Sequence, residues 1–321
     1  MVIDGHNDLV LKRWRGEPGK HIDLDTAAAA GFAGGFFALY VPSPFSIEPP
    51  APPYALPLAE PIPFEEAAQV TEELFETLCA MPVRRAQSVA DFRQGEITAI
   101  VHLEGAEAIA EDLSNLHDWY DRGLRSIGIV WSRANVFASG VPFEFPASPD
   151  TGPGLTDAGR ALVRACNELG ILVDVSHLNE RGFWDVVEAT NRPMVATHSN
   201  AHALCPSTRN LTDAQLDAVR DSGGIVGVNF AVTFLREDGT NDVENTRLDE
   251  IVRHVDYLAE RMGIDHVAFG SDFDGAAVPE SLGGVSGLPR LVDLLGERYE
   301  PGEVDRITHG NWLRVLDATW R

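Results

Sequence analysis

Eight short apolar runs recur between residues 2 and 270 of this chain, and segments with helical periodicity lie between them. The runs cover 2–4, 35–41, 97–103, 125–130, 171–176, 194–198, 225–230 and 266–270. Strands buried on both faces read as continuous β-branched and apolar runs, and their alternation with helices demands parallel pairing through crossovers. The intervening spacing predicts helices over 64–81, 115–122, 156–169, 180–189, 212–222, 247–262 and 288–295, with a last one over 303–318. Thr156 and Thr212 precede acidic first turns, and Gly170 and Gly263 stand where helices close on glycine C-caps. The expectation is an α/β chain forming a (β/α)8 TIM-type barrel in one domain over 1–321, with a core that 44% hydrophobic content can fill.

One stretch interrupts the rhythm. Nine of the twenty prolines fall within 42–63, which excludes a helix or a central strand there and predicts an extended surface loop after the second strand. In a barrel that loop emerges on the active-site face, where it would wall a pocket or form an oligomer contact.

Charge narrows the partners. Twenty-five Lys and Arg against 49 Asp and Glu give a net charge of -24, which argues against nucleic acid and anionic membranes as partners. Cys79, Cys166 and Cys205 are an odd number without paired spacing, so neither a disulfide framework nor a thiolate zinc cage is expected. With no run of ~18 apolar residues and no basic leader before Val2, the expectation is a cytoplasmic protein that does not span a membrane.

The polar residues that end the apolar runs carry the chemistry. His6 and Asp8 follow the first, Glu104 the third, His177 the fifth, His198 the sixth and Asp272 the eighth. Strand ends are rigid enough to fix metal ligands. His6 and Asp8, two apart in extended chain, project to one side and suit one ion, although a turn with a capping Asp would also give His-x-Asp. A Glu at the position of Glu104 can bridge two cations ~3.5–4 Å apart. His177 and His198 add two neutral imidazoles suited to Zn²⁺. His102 reads as a core or outer-sphere group, Asp4 and Asp274 as turn residues, and Asn7 as a partner of local backbone. Asp272, after Gly270-Ser271, is placed to handle the proton of an attacking water. Arg209 is a candidate clamp for a substrate carboxylate, with a surface ion pair as the alternative.

The segments VIDGHND at 2–8, HLEG at 102–105, DVSH at 174–177, THSNA at 197–201, RN at 209–210, VNF at 228–230 and GSDFDG at 270–275 together resemble the membrane dipeptidase (renal dipeptidase) family of zinc peptidases, in its bacterial-type soluble form. The resemblance runs nearly end to end. It implies an amidohydrolase-like barrel holding two Zn²⁺ ions, one on His6 and Asp8, the other on His177 and His198, with Glu104 bridging. It further implies Asp272 as the acid/base and Arg209 with Asn210 as the site for the substrate's C-terminal carboxylate. Dipeptides with a D-residue at the C-terminal position and a homodimer are expectations from the same source.

One departure stands out: Trp131 occupies the place where characterised members carry a His that steadies the oxyanion, and Asn135 follows four residues on. An indole offers one N–H and no charge, so both are read as substrate-binding residues that shape the pocket. The sequence therefore points to a dipeptidase that attacks with metal-activated hydroxide. The alternatives are a metal-dependent amidohydrolase acting on another small amide or lactone, and a barrel in which metal only stabilises a binding module.

Overall fold

The structure, a computed structural model, describes residues 1–43 and 49–320. Eight parallel strands close on themselves: β1 (Val2–Asn7), β2 (Phe32–Tyr40), β3 (Thr98–Glu104), β4 (Leu124–Gly128), β5 (Leu172–Asp174), β6 (Val195–Ala196), β7 (Ile225–Val228) and β8 (Val267–Phe269). Each pairs with the next, and the ring closes where Asp4 of β1 sits opposite Phe269 of β8. All eight expected strands are present, each within a few residues of its expected place.

The pleat separates two cores. Ile3, Phe36, Ile100, Leu172, Val195, Ile225 and Ala268 point into the barrel, where Trp312, Val315 and Leu316 of the last helix close its floor. Their neighbours Val2, Phe37, Ala99, Val101 and Val173 point outward against the helices. On β3 the inward parity set by Ile100 continues through His102 to Glu104, so the same alternation that builds the core aims the carboxylate at the mouth. Thr156 caps its helix by accepting from the Gly159 amide, Thr212 forms a capping box with Gln215, and Gly170 ends its helix at φ 79°.

Three expectations change. The first βα unit carries a short helix, Leu9–Trp14, in a glycine-free stretch too short for a periodicity signal. The last helix is not continuous: Pro301–Asp305 leads into a π-helical turn at Arg306–Gly310 before Asn311–Thr319. That turn brings the Asn311 amide onto the carbonyls of Ile264 and Val267 beneath β8, at 2.8 Å each. Within the proline-rich stretch, Tyr54–Ala55 pairs antiparallel with Glu144–Phe145 rather than running free, because Tyr54, Phe145 and Cys205 bury together. Residues 44–48 of that stretch lie outside the described residues. No helix among the described residues is long and apolar enough to cross a membrane.

Candidate active site

The strand ends converge on Glu104. Its Oε2 lies 3.6 Å from Nε2 of His6, and its Oε1 lies 3.0 Å from Nε2 of His177 and 3.8 Å from Nε2 of His198. His6 Nε2 is 3.3 Å from Oδ2 of Asp8, and the two histidine Nε2 atoms of His177 and His198 are 3.0 Å apart. Asp8 reaches His6 from the start of helix Leu9–Trp14, one residue past β1, so the pair is made by the strand end and the turn after it rather than by strand alternation alone. Asp272, at φ 61°, accepts 3.0 Å from the Asn229 amide. A Cβ at Gly275 would collide with the carboxylates of both Asp8 and Asp272, so only glycine lets the loop pass this close to the site.

Two sets of donor atoms among the described residues, His6–Glu104–His198 and His6–Asp8–Asp272, fall within 4.8 Å of one another. They are unbalanced as they stand. Burial works against charge on His6, yet the carboxylates of Glu104, Asp8 and Asp272 push its imidazole up to about 10. Burial drives Glu104 up to about 8, reinforced by Asp8 and Asp272. Asp272 is raised for the same reason. On the opposite flank burial, with Arg209 and His6 nearby, holds His177 and His198 well below the usual imidazole range, as neutral donors. Oε2 of Glu104 with Asp8 and Asp272 on one flank, and two neutral ring nitrogens with Oε1 on the other, is a donor set that divalent cations would balance.

A layer beneath fixes the rings of His177 and His198. Ser132 Oγ meets His177 Nδ1 at 3.2 Å. Thr197 Oγ1 meets His198 Nδ1 at 2.8 Å and donates to Asp174 at 2.6 Å, and Asp174 also accepts from the Ser176 hydroxyl and the Thr197 amide. These contacts leave the Nε2 atoms facing the cavity. His102 lies below, with Nδ1 3.0 Å from Ser126 Oγ and Nε2 3.7 Å from Asp174. Asp4 is not a turn residue: it accepts from the amide and hydroxyl of Ser271 and ties β1 to the loop that carries Asp272. Asp274 likewise accepts from the Lys20 and His21 amides, across the chain rather than within its own turn.

A cavity of about 400 Å³ opens above these groups. Arg209 lines it, buried, with Nη2 3.2 Å from His177 Nε2, a bond from Nη1 to the Ser176 carbonyl, and no carboxylate within ion-pair distance among the described residues. Burial lowers its guanidinium to about 10, which leaves it charged at neutral pH. Trp131 lines the cavity too, its ring centroid 6.0 Å from that of His177. Asn135 does not. Its side chain spans the turn after β4, donating to the Ile129 carbonyl and accepting from the Phe137 and Ala138 amides. Asn210 also stands behind the wall, donating to the carbonyls of Cys205 and Phe234, so it supports the loop of Arg209 instead of facing the cavity.

Residues 1–320 match the family model described as membrane dipeptidase, peptidase family M19. The chain belongs to that family. Its members are metallo-dipeptidases, and this chain is accordingly a metal-dependent hydrolase. It is 46% identical, with a TM-score of 0.95 and 99% of each chain covered, to a Rhodobacter sphaeroides metallo peptidase whose crystal structure is liganded with a phosphinate mimic of the dipeptide L-Ala-D-Ala. It is equally similar in sequence, at 46% identity and a TM-score of 0.93, to dipeptidase AC, with 99% of this chain and 98% of that one covered. An uncharacterised protein of the pqqA 5′ region in Klebsiella pneumoniae shares 52% identity over 244 residues, 74% of this chain and 90% of the relative.

Ser132, Tyr40, Phe143 and Phe234 carry no signal of their own in the sequence, whereas Asp174, Thr197 and Asn229 lie inside segments that carry the family resemblance. Ser132, Thr197 and Asn229 hydrogen-bond to His177, His198 and Asp272, Asp174 accepts from Thr197, and Tyr40, Phe143 and Phe234 reach the cavity from a strand end, a loop and the short helix Val232–Leu235. Thr197 adjoins His198, and Asp174 closely precedes His177, at strand ends.

Proposed function

We propose that this chain is a binuclear zinc dipeptidase that hydrolyses the amide bond of dipeptides and accepts a D-residue at the C-terminal position, acting as one barrel unit over 1–321. The observation that carries the reading is the division of Glu104, one oxygen toward His6 and the other toward His177. On this reading His6 with Asp8 holds one ion, His177 with His198 holds the second, and Glu104 bridges. Ions held there supply a Lewis acid for the scissile carbonyl and lower the pKa of water toward neutrality.

The chain's own groups do the rest. Asp272, raised by burial and steadied by the Asn229 amide, takes the proton of the attacking water and delivers it to the departing amine. Arg209, charged and free of a carboxylate partner among the described residues, receives the substrate's C-terminal carboxylate, which restricts the cavity to short peptides. The dipeptide-mimic complex of the Rhodobacter sphaeroides relative supports both the substrate class and the stereochemistry.

Elemental analysis of the purified protein, paired with hydrolysis of L-Ala-D-Ala, L-Ala-L-Ala and a panel of lactones, tests this. Two zinc ions per chain and dipeptide turnover are expected. Turnover of lactones without dipeptides would assign the site to the alternative amidohydrolase chemistry.

A further inference from the structure

We propose that an aromatic slot beside Arg209 receives the side chain of the substrate's C-terminal residue and selects apolar side chains over charged ones. The inference rests on the dipeptidase reading and on Arg209 as the carboxylate clamp, and it adds the specificity that reading leaves open.

Four rings make the slot, and each lines the cavity. They form a continuous series: Tyr40 to Trp131 at 5.1 Å between centroids, Trp131 to Phe143 at 5.7 Å, and Phe143 to Phe234 at 6.3 Å, the last pair stacked at 17°. The series ends at the clamp, because the guanidinium carbon of Arg209 lies 5.5 Å from the centroid of Phe234. A carboxylate held by Arg209 therefore leaves its own Cα substituent next to ring faces. The Tyr40 hydroxyl on that wall is already engaged by the amide and Oγ of Ser43.

Behind the rings stands a buried strut. Arg133, fully enclosed, gives Nε to Glu107 at 2.9 Å and Nη2 to the Val41 carbonyl at 2.6 Å, with its guanidinium 5.3 Å from the Trp131 ring and 5.6 Å from that of Tyr40. Glu107 neutralises it, so the strut fixes the two rings without offering a free charge to the ligand. Against the four rings a charged side chain would lose water without meeting an opposite charge on that wall, whereas an apolar one gains contact with the rings.

The test uses the zinc-loaded wild-type enzyme and L-Ala-Xaa dipeptides, in both stereochemical series, with Xaa as Ala, Leu, Phe, Asp or Lys. Leu or Phe should exceed Asp and Lys in kcat/KM by at least about tenfold, the scale of hydrophobic-pocket discrimination. Trp131→Ala and Phe143→Ala should compress that ratio chiefly through KM, and Trp131→Phe should keep it. Turnover of Asp and Lys substrates equal to Leu would overturn the slot while leaving the dipeptidase reading intact. Absence of turnover for every dipeptide would overturn that reading and the slot with it.

Discussion

Glu104 divides its carboxylate between the two halves of the site, Oε1 3.0 Å from His177 and Oε2 3.6 Å from His6. A single side chain on β3 thereby links the first strand to the fifth, across the barrel mouth. Glu104→Gln keeps the shape and removes the shared charge. It should lower affinity for at least one ion by more than the 10–100-fold typical of an outer partner, and activity should fall in parallel. Metal titration with elemental analysis checks this; a variant that still binds two ions tightly would contradict the bridging role.

Arg209 should separate binding from chemistry. Replacing it with Ala removes an interaction made equally in ground and transition states if its partner is a remote carboxylate, so KM rises and kcat changes little. The sharper comparison is a dipeptide against its C-terminal amide. Wild type should prefer the free acid by roughly 10²-fold or more, on the scale of a buried charged pair, and Arg209→Ala should erase the preference. An unchanged acid-to-amide ratio would remove Arg209 from substrate recognition.

Thr197 offers a test that leaves every ligand in place. Its hydroxyl joins His198 Nδ1 to Asp174, so Thr197→Val preserves volume and cuts the link. Affinity for one ion should drop by about 10–100-fold, with the other site retained. Competition with a chelator of known affinity measures both; identical occupancy curves for variant and wild type would make Thr197 a packing residue only.

Strand placement was legible because a parallel strand buried on both faces is apolar along most of its length, and an imidazole or carboxylate that ends such a run stands out against it. His6, Glu104, His177 and His198 could be picked out on that ground, and the structure brings them within 4 Å of one another or of Glu104. Asn135 and Asn210 misled because a side-chain amide after a strand serves a backbone turn as readily as a cavity, and sequence does not say which way it faces. The aromatic wall was invisible for another reason. Tyr40, Trp131, Phe143 and Phe234 are brought together only by barrel closure, and nothing in their local spacing reports it.

Acid sensitivity follows from a histidine outside the metal centre. His254 is fully enclosed, its Nδ1 accepting from the Ala201 amide at 3.2 Å and its Nε2 donating to the Leu235 carbonyl at 3.0 Å, so it fastens the loops after β6 and β7 only as a neutral ring. Burial lowers it to about 4, below the value of about 6.5 that it takes when unfolded. A folded-state pKa below the unfolded one means that the unfolded chain takes up the proton first as pH falls. The stability is therefore complete above pH ~6.5 and is lost progressively toward pH ~4, by up to about 3 kcal/mol from this group. Urea unfolding in chelator, at pH values from 7.5 to 4.5, isolates it by difference. His254→Gln should lower stability at pH 7.5 and converge on wild type as the buffer becomes acidic, because wild type alone then carries the cost of keeping this ring neutral. A constant gap between the two proteins over that range would mean that the His254 ring titrates no differently in the folded and unfolded chains.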